Sequence, residues 1–278
     1  MIGVFDSGHG GLTVLRALHR SLPSHDFLYL GDHADAPYGD RPPEEIYRLT
    51  LAGVSRLFER GAGLVILACN TASAVALRRL QQTWLETAWP GRRVLGVLVP
   101  MVEAVTGVPW MADVAASRQA GEPRTVGIFA TSRTVDSGAY PREIAARAPE
   151  VRVVQQACPA LVPLIEADAP RQRVAEAVRL YADGLMTRLA SAPPQAVMLG
   201  CTHYPLVADL FTDALPVGVE VLSQPDLTAK SLSAYLERHP EFDRPGQGDV
   251  SFLTTGDPSR ITALATRFFG KPARFDRT

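Results

Sequence analysis

The chain has 278 residues, 46% of them hydrophobic and 21% charged, with a formal net charge of −1. At roughly 150 residues per domain this length suggests two domains with ample core, and the near-neutral balance advertises neither nucleic acid nor an anionic membrane as a partner. No apolar run approaches the roughly 20 residues of a membrane span. Met1-Ile2-Gly3-Val4-Phe5 carries no basic n-region or cleavage site, so no signal peptide is expected. Three cysteines, an odd number in a long chain, argue against a disulfide framework and for a reducing cytosol. No CxxC pair or clustered His/Cys spacing suggests a metal.

Taken in order, short apolar runs alternate with helical patterns. Ile2 to Phe5 reads as a strand ending in Asp6-Ser7-Gly8-His9-Gly10-Gly11, and a helix follows with Leu12, Leu15, Leu18 and Leu22 on one face. Phe27 to Leu30 is the second strand, leading into a turn-rich loop from Asp32 to Gly39. Pro42-Pro43 opens a helix with Ile46, Leu49, Leu57 and Phe58 roughly in phase. The third strand, Val65-Ile66-Leu67, delivers Cys69, and the next helix carries Leu77, Leu80 and Trp84. Val94 to Val99 is expected as a fourth strand stopped by Pro100.

A second round begins after the polar connector Arg118 to Pro123. Val126 to Phe129 is a strand ending in Ala130-Thr131-Ser132, followed by a helix around Tyr140 to Ala148. Val151 to Val154 leads through Cys158-Pro159 to an apolar stretch ending at Glu166. A helix from about Arg171 to Leu189 aligns Val174, Val178, Tyr181, Leu185 and Leu189, and the run Val197-Met198-Leu199 then delivers Cys201. Val219 to Leu222 and Val250 to Thr254 are further strands, with helices around Leu232 and Leu236 and around Ile261, Leu264 and Phe268. Strand and helix alternating at this rhythm mean α/β structure, a mostly parallel sheet covered on both faces.

The two rounds resemble each other. Ile2-Gly3-Val4-Phe5 matches Val126-Gly127-Ile128-Phe129, 124 residues on, and Val65-Ile66-Leu67-Ala68-Cys69 matches Val197-Met198-Leu199-Gly200-Cys201, 132 residues on. This pattern predicts two pseudo-symmetric α/β domains, each presenting one cysteine at a strand's carboxyl end, where ligands of open α/β sheets bind. The active site is expected in the cleft between them.

A disulfide oxidoreductase would place its cysteines two residues apart, and a single nucleophilic cysteine would leave the other unexplained. Two thiols on opposite faces of a planar carbanion explain both, one removing a proton and the other donating one. That chemistry needs a thiolate beside a thiol, against a free pKa of about 8.5. Asp6 and His203 are the candidates to manage those protons. Backbone N–H groups at Asn70-Thr71 and Thr202-His203 are candidates to hold carboxylate oxygens.

Asp6-Ser7-Gly8-His9-Gly10-Gly11-Leu12-Thr13-Val14, Ala36-Pro37-Tyr38-Gly39, Ala68-Cys69-Asn70-Thr71-Ala72, Gly200-Cys201-Thr202-His203-Tyr204-Pro205 and Thr254-Thr255-Gly256-Asp257 resemble glutamate racemases. The resemblance runs in register to Gly270. It implies a cofactor-independent enzyme interconverting L- and D-glutamate for peptidoglycan, with Cys69 and Cys201 as the acid/base pair. Substrate contacts are implied at Asp6, Ser7, Tyr38, Gly39, Asn70, Thr71, Thr202 and His203, with Glu166 and Thr131 as further possible contributors. It also implies a cytoplasmic homodimer and a tail that returns to the first domain, giving residues 1–96 with 208–278 as one domain and 97–207 as the other. His9, Asp35 and Arg133 depart from the family pattern.

Other readings stand beside this one. A related racemase would take aspartate or another amino acid, a silent relative would bind a protein partner, and a nucleotide- or phosphate-binding protein would use the loop from Gly8 to Gly11. That loop lacks the Lys-Ser/Thr of a P-loop and reads better as a tight strand-to-helix turn. Cys158 has no partner motif and reads as an inert core residue. Glu166 lines the site or is a solvated charge.

Overall fold

The computed structural model describes residues 1–109, 124–190 and 192–278. The polar connector from Arg118 to Pro123 lies outside the described residues. The chain forms two compact units, Met1–Val97 with Pro225–Thr278, and Leu98–Gln224.

In the first unit the chain runs through β1 (Ile2–Asp6), α1 (Gly11–Ser21), β2 (Phe27–Gly31), α2 (Pro43–Glu59), β3 (Leu64–Leu67), α3 (Asn70–Val75) and β4 (Arg93–Gly96). Between α3 and β4 the helix is broken into α4 (Leu77–Leu80), a π turn over Gln81–Leu85 and α5 (Glu86–Ala88). The tail adds β9 (Val250–Thr254) and β10 (Phe275–Arg277), giving a six-stranded sheet in the order β10-β9-β2-β1-β3-β4, parallel throughout. β1, β2 and β3 are buried along their whole length, as strands covered on both faces must be. The apolar face of α1 puts Leu12, Leu15 and Leu18 wholly out of solvent, each contributing about 1.5–3 kcal/mol. Leu22 only caps that helix.

The second unit holds α6 (Leu98–Thr106), β5 (Thr125–Ala130), α7 (Ser132–Asp136), α8 (Ala139–Arg147), β6 (Arg152–Ala157), α9 (Leu161–Glu166), α10 (Arg171–Leu189), β7 (Ala196–Gly200), α11 (Ala208–Ala214) and β8 (Glu220–Leu222). Its sheet is again all parallel, in the order β6-β5-β7-β8. The α/β architecture expected from the sequence, two parallel sheets flanked by helices, is the one the chain adopts.

Several local expectations shift. The fourth strand ends at Gly96 rather than Val99, and Val99 and Pro100 lie in the first turn of α6. Helix N-termini have no intrahelical acceptor for their first N–H groups, so a proline there loses nothing. On α10 the buried stripe runs through Ala182, while Tyr181 is only half-buried. The chain also stays with the second sheet beyond 208, because β8 pairs with β7 and α11 packs on α10. It rejoins the first unit at Pro225, near the start of α12 (Gln224–Arg238), and closes with α13 (Pro258–Phe269) against α1.

Candidate active site

In the first sheet β1 and β3 are neighbours, yet the chain leaves β1 for β2 on one side and β3 for β4 on the other. The carboxyl ends of β1 and β3 therefore flank a topological switch point, the place where open α/β sheets open a crevice. Asp6 ends β1, Ser7 follows it, and Cys69 stands two residues beyond β3 as the N-cap of α3. The Cys69 thiol lies 3.5 Å from the Ser7 hydroxyl oxygen, to which it donates, and Sγ accepts the Ala72 N–H at 3.4 Å. A backbone donor at a helix start favours the thiolate over the thiol.

Asp6 is almost wholly buried, and its Oδ1 accepts the Gly8 N–H at 2.9 Å. Gly11 is required beside it, since a Cβ there would stand 2.5 Å from the Asp6 Cβ and 3.0 Å from that of Ala68. The N–H groups of Leu12 and Thr13 are committed to the carbonyls of His9 and Gly10. A buried carboxylate at the head of this turn also disfavours a phosphate there.

Tyr38 opens a single 3₁₀ turn with Gly39 and is buried, and Asn70 and Thr71 are buried in the first turn of α3. The first unit thus brings Asp6, Ser7 and Cys69 to one switch point, with Tyr38 in the same buried cluster as Cys69. Asp32 is a residue that sequence reasoning passed over. It follows the carboxyl end of β2 and accepts the Tyr38 hydroxyl at 2.6 Å on Oδ2 and that of Thr255 at 2.7 Å on Oδ1. The strand-end rule that singled out Asp6 applies to it equally.

The second sheet repeats the arrangement. The chain leaves β5 for β6 on one side and β7 for β8 on the other, so Ala130 and Gly200 flank its switch point in direct register. Cys201 follows β7 and is 5% exposed, the same as Cys69. Its Sγ stands 3.8 Å from Nδ1 of His203, whose Nε2 is 2.9 Å from Glu166 Oε1. Thr202 is buried between them in sequence. Burial opposes a charged imidazole, but the hydrogen bonds and negative charges of Cys201 and Glu166 outweigh it and push the His203 pKa up to about 10. Glu166, left open as a solvated charge, is a partner of His203.

Thr131 caps α7, its oxygen accepting the Thr134 N–H at 3.3 Å, and sits at the same switch point as Cys201. Cys158 lies after β6, fully buried, with its thiol on the Gln156 carbonyl; burial, then the charge of Cys201, raises it well above the usual thiol range. The three departures from the family pattern are all seated. His9 rests edge-on against His33 with centroids 4.3 Å apart, Asp35 lies 3.7 Å from Arg41, and Arg133 lies 3.8 Å from Asp136. Among the described residues no group of three His, Cys, Asp or Glu gathers as a metal site, and no helix is long and apolar enough to cross a membrane.

The sequence pattern of Asp/Glu/hydantoin racemases matches residues 2–232. The chain is 49% identical over 284 residues to the glutamate racemase of Phenylobacterium zucineum, with 99% of each chain covered. Among solved structures it is similar to the glutamate racemase of Thermus thermophilus in complex with β-chloro-D-alanine, at TM-score 0.80 and 36% identity, covering 100% of this chain and 96% of that one. It is similar too to the Francisella tularensis glutamate racemase in complex with D-glutamate, at TM-score 0.82 and 26% identity, covering 100% and 96%. A match of this length, together with a cysteine at the switch point of each parallel sheet, makes the chain a member of the Asp/Glu/hydantoin racemase family.

Proposed function

We propose that the chain interconverts L- and D-glutamate without a cofactor, using Cys69 and Cys201 as paired acid and base. The observation that carries this reading is topological. Each cysteine follows the third strand of its own α/β round and stands at the matching switch point, and full-length relatives at 49% identity are named glutamate racemases. Inversion of an α-carbon requires a base on one face and an acid on the other, so it requires two such groups and both must be movable between charged and neutral forms.

At Cys69 the thiolate would be supported by the Ala72 N–H and, with the 3.5 Å contact reversed, by the Ser7 hydroxyl as donor. At Cys201 it is supported by His203, held as an imidazolium by Glu166; with both ring nitrogens protonated, Nε2–H donates to the carboxylate and Nδ1–H to sulfur. One half-site therefore uses backbone dipoles and a hydroxyl, and the other a full positive charge. Asp6, Ser7, Tyr38, Gly39, Asn70, Thr71, Thr202 and His203 are the proposed substrate contacts. Backbone N–H groups after each cysteine would hold the carboxylate on which negative charge develops as the α-proton leaves. Supply of D-glutamate for peptidoglycan, a homodimeric assembly and a cytoplasmic location belong to the same proposal.

The test is incubation of the purified protein with each enantiomer in D2O and no added cofactor. Each should gain one α-deuterium while optical rotation decays to zero. Absence of exchange with both enantiomers would overturn the racemase reading.

A further inference from the structure

Asp32 is 4% exposed, and its carboxylate has a hydroxyl donor on each oxygen, Tyr38 at 2.6 Å and Thr255 at 2.7 Å. Its own N–H donates to the Asp6 carbonyl at 3.0 Å, fixing it to the end of β1. Thr255 is in turn held from two directions. Its N–H donates to the Gly31 carbonyl at 3.3 Å, and its Oγ1 accepts the Ala34 N–H at 3.1 Å. The tail thus fastens the loop from Asp32 to Gly39 at its root, through a threonine that has no place in the proton-transfer chemistry.

A tyrosine hydroxyl has one proton to donate. Tyr38 shares a buried cluster with Cys69, and its turn packs against α3, the helix that Cys69 caps. That proton goes to the Asp32 carboxylate, while the charge of Cys69 also bears on the same phenol. A short O–H···O⁻ contact is among the stronger hydrogen bonds available, and here it is directed at Asp32. Burial, then the charge and hydrogen bond of Asp32, then the charge of Cys69 all hold the phenol neutral.

We infer that Asp32 and Thr255 are positioning residues that hold the Tyr38 hydroxyl proton away from Cys69, so that the thiolate stays basic enough to take an α-proton. The inference rests on reading Cys69 as an acid/base group. A thiolate that accepted the Tyr38 hydroxyl would be stabilised and so weaker as a base. The tail motif Thr254-Thr255-Gly256 enters this relay through Thr255, one carboxylate removed from the Tyr38 phenol.

The experiment follows the Cys69 titration in full-length protein labelled with ¹³Cβ-cysteine, its signal assigned by single substitutions. In D32N the Tyr38 hydroxyl loses its charged acceptor and a negative charge is removed, so Cys69 should titrate lower. In the double variant D32N/Y38F only the charge effect remains, and Cys69 should titrate about one pH unit higher than in D32N. T255V should give a smaller shift in the D32N direction, and T255S should restore the wild-type curve. The ¹³Cβ shifts of Cys201 and Cys158 at neutral pH should be unchanged in all of them, which separates positioning from general loosening. The same Cys69 curve in D32N and D32N/Y38F overturns the inference, as does a wild-type Cys69 curve in T255V should D32N not fold. The readout needs no turnover, so failure of the racemase reading in the deuterium experiment is seen separately.

Discussion

Glu166 holds Nε2 of His203 at 2.9 Å while Nδ1 of the same ring faces the Cys201 sulfur at 3.8 Å, so one imidazole spans a carboxylate and a thiol. The His203 pKa is pushed up to about 10 against an ordinary 6.5, and the ring is cationic across the neutral range. A folded pKa above the unfolded one stabilises the protein fully below the unfolded value, and that contribution is lost as pH rises through the folded value. The stability owed to His203 is therefore intact below about pH 6.5 and fades toward pH 10. Histidine NMR should show no His203 titration near 6.5. In E166Q the curve should drop by about one unit or more, and the stability difference from wild type should shrink as pH rises toward 10. A wild-type ring that titrates near 6.5 would contradict the pairing.

Cys69→Ser and Cys201→Ser should each lower inversion by more than about a thousandfold, the loss expected when a general acid or base is removed. Each variant keeps one thiol of the pair, so each should still wash the α-proton out of one enantiomer into D2O, and the two should select opposite enantiomers. Mass spectrometry of recovered, chirally separated glutamate reads this directly. Washout of the same enantiomer by both variants would count against opposed bases.

Cys158→Ala should leave turnover within about twofold of wild type, because its neutral thiol is engaged with the Gln156 carbonyl. Loss of a small buried group should still cost about 1 kcal/mol in urea unfolding. A large fall in kcat with unchanged stability would give this thiol a part in the chemistry.

Gly11→Ala brings a methyl within 2.5 Å of the Asp6 Cβ and 3.0 Å of the Ala68 Cβ, between β1 and β3. Overpacking of this kind costs about 1–3 kcal/mol, and the strain falls on the residues leading to Ser7 and Cys69. Both urea midpoint and kcat/KM should decrease. An unchanged kcat/KM would mean that the turn relaxes without moving Asp6.

The sheet architecture was readable because buried parallel strands are short, nearly unbroken apolar runs such as Leu64–Leu67 and Ala196–Gly200. The cysteines were readable for a related reason, each lying just past such a run. β10 escaped notice, since Phe275 is the only apolar residue in its three and its pairing with β9 carries the assignment. Val97 to Val99 were drawn into the fourth strand because an apolar run does not reveal where extended backbone gives way to a helix. Asp32 was hidden for another reason. Its partners, Tyr38 and Thr255, lie 6 and 223 residues away, and no local pattern encodes a carboxylate shared between a loop and a distant tail.

The first unit is assembled from two stretches of chain, with residues 98–224 inserted between them. On a ribosome, which delivers the chain from its N-terminus, β2 emerges long before β9, the strand that pairs along its outer side from Phe27 to Gly31. Until then β2 is an open edge of apolar residues, the kind that pairs with other chains. The inserted unit is contiguous and has all four of its strands in hand by Leu222. Its strands are complete first, and the nascent chain must keep the outer edge of β2 unpaired until Val250–Thr254 arrives, which leaves this edge exposed to aggregation during synthesis.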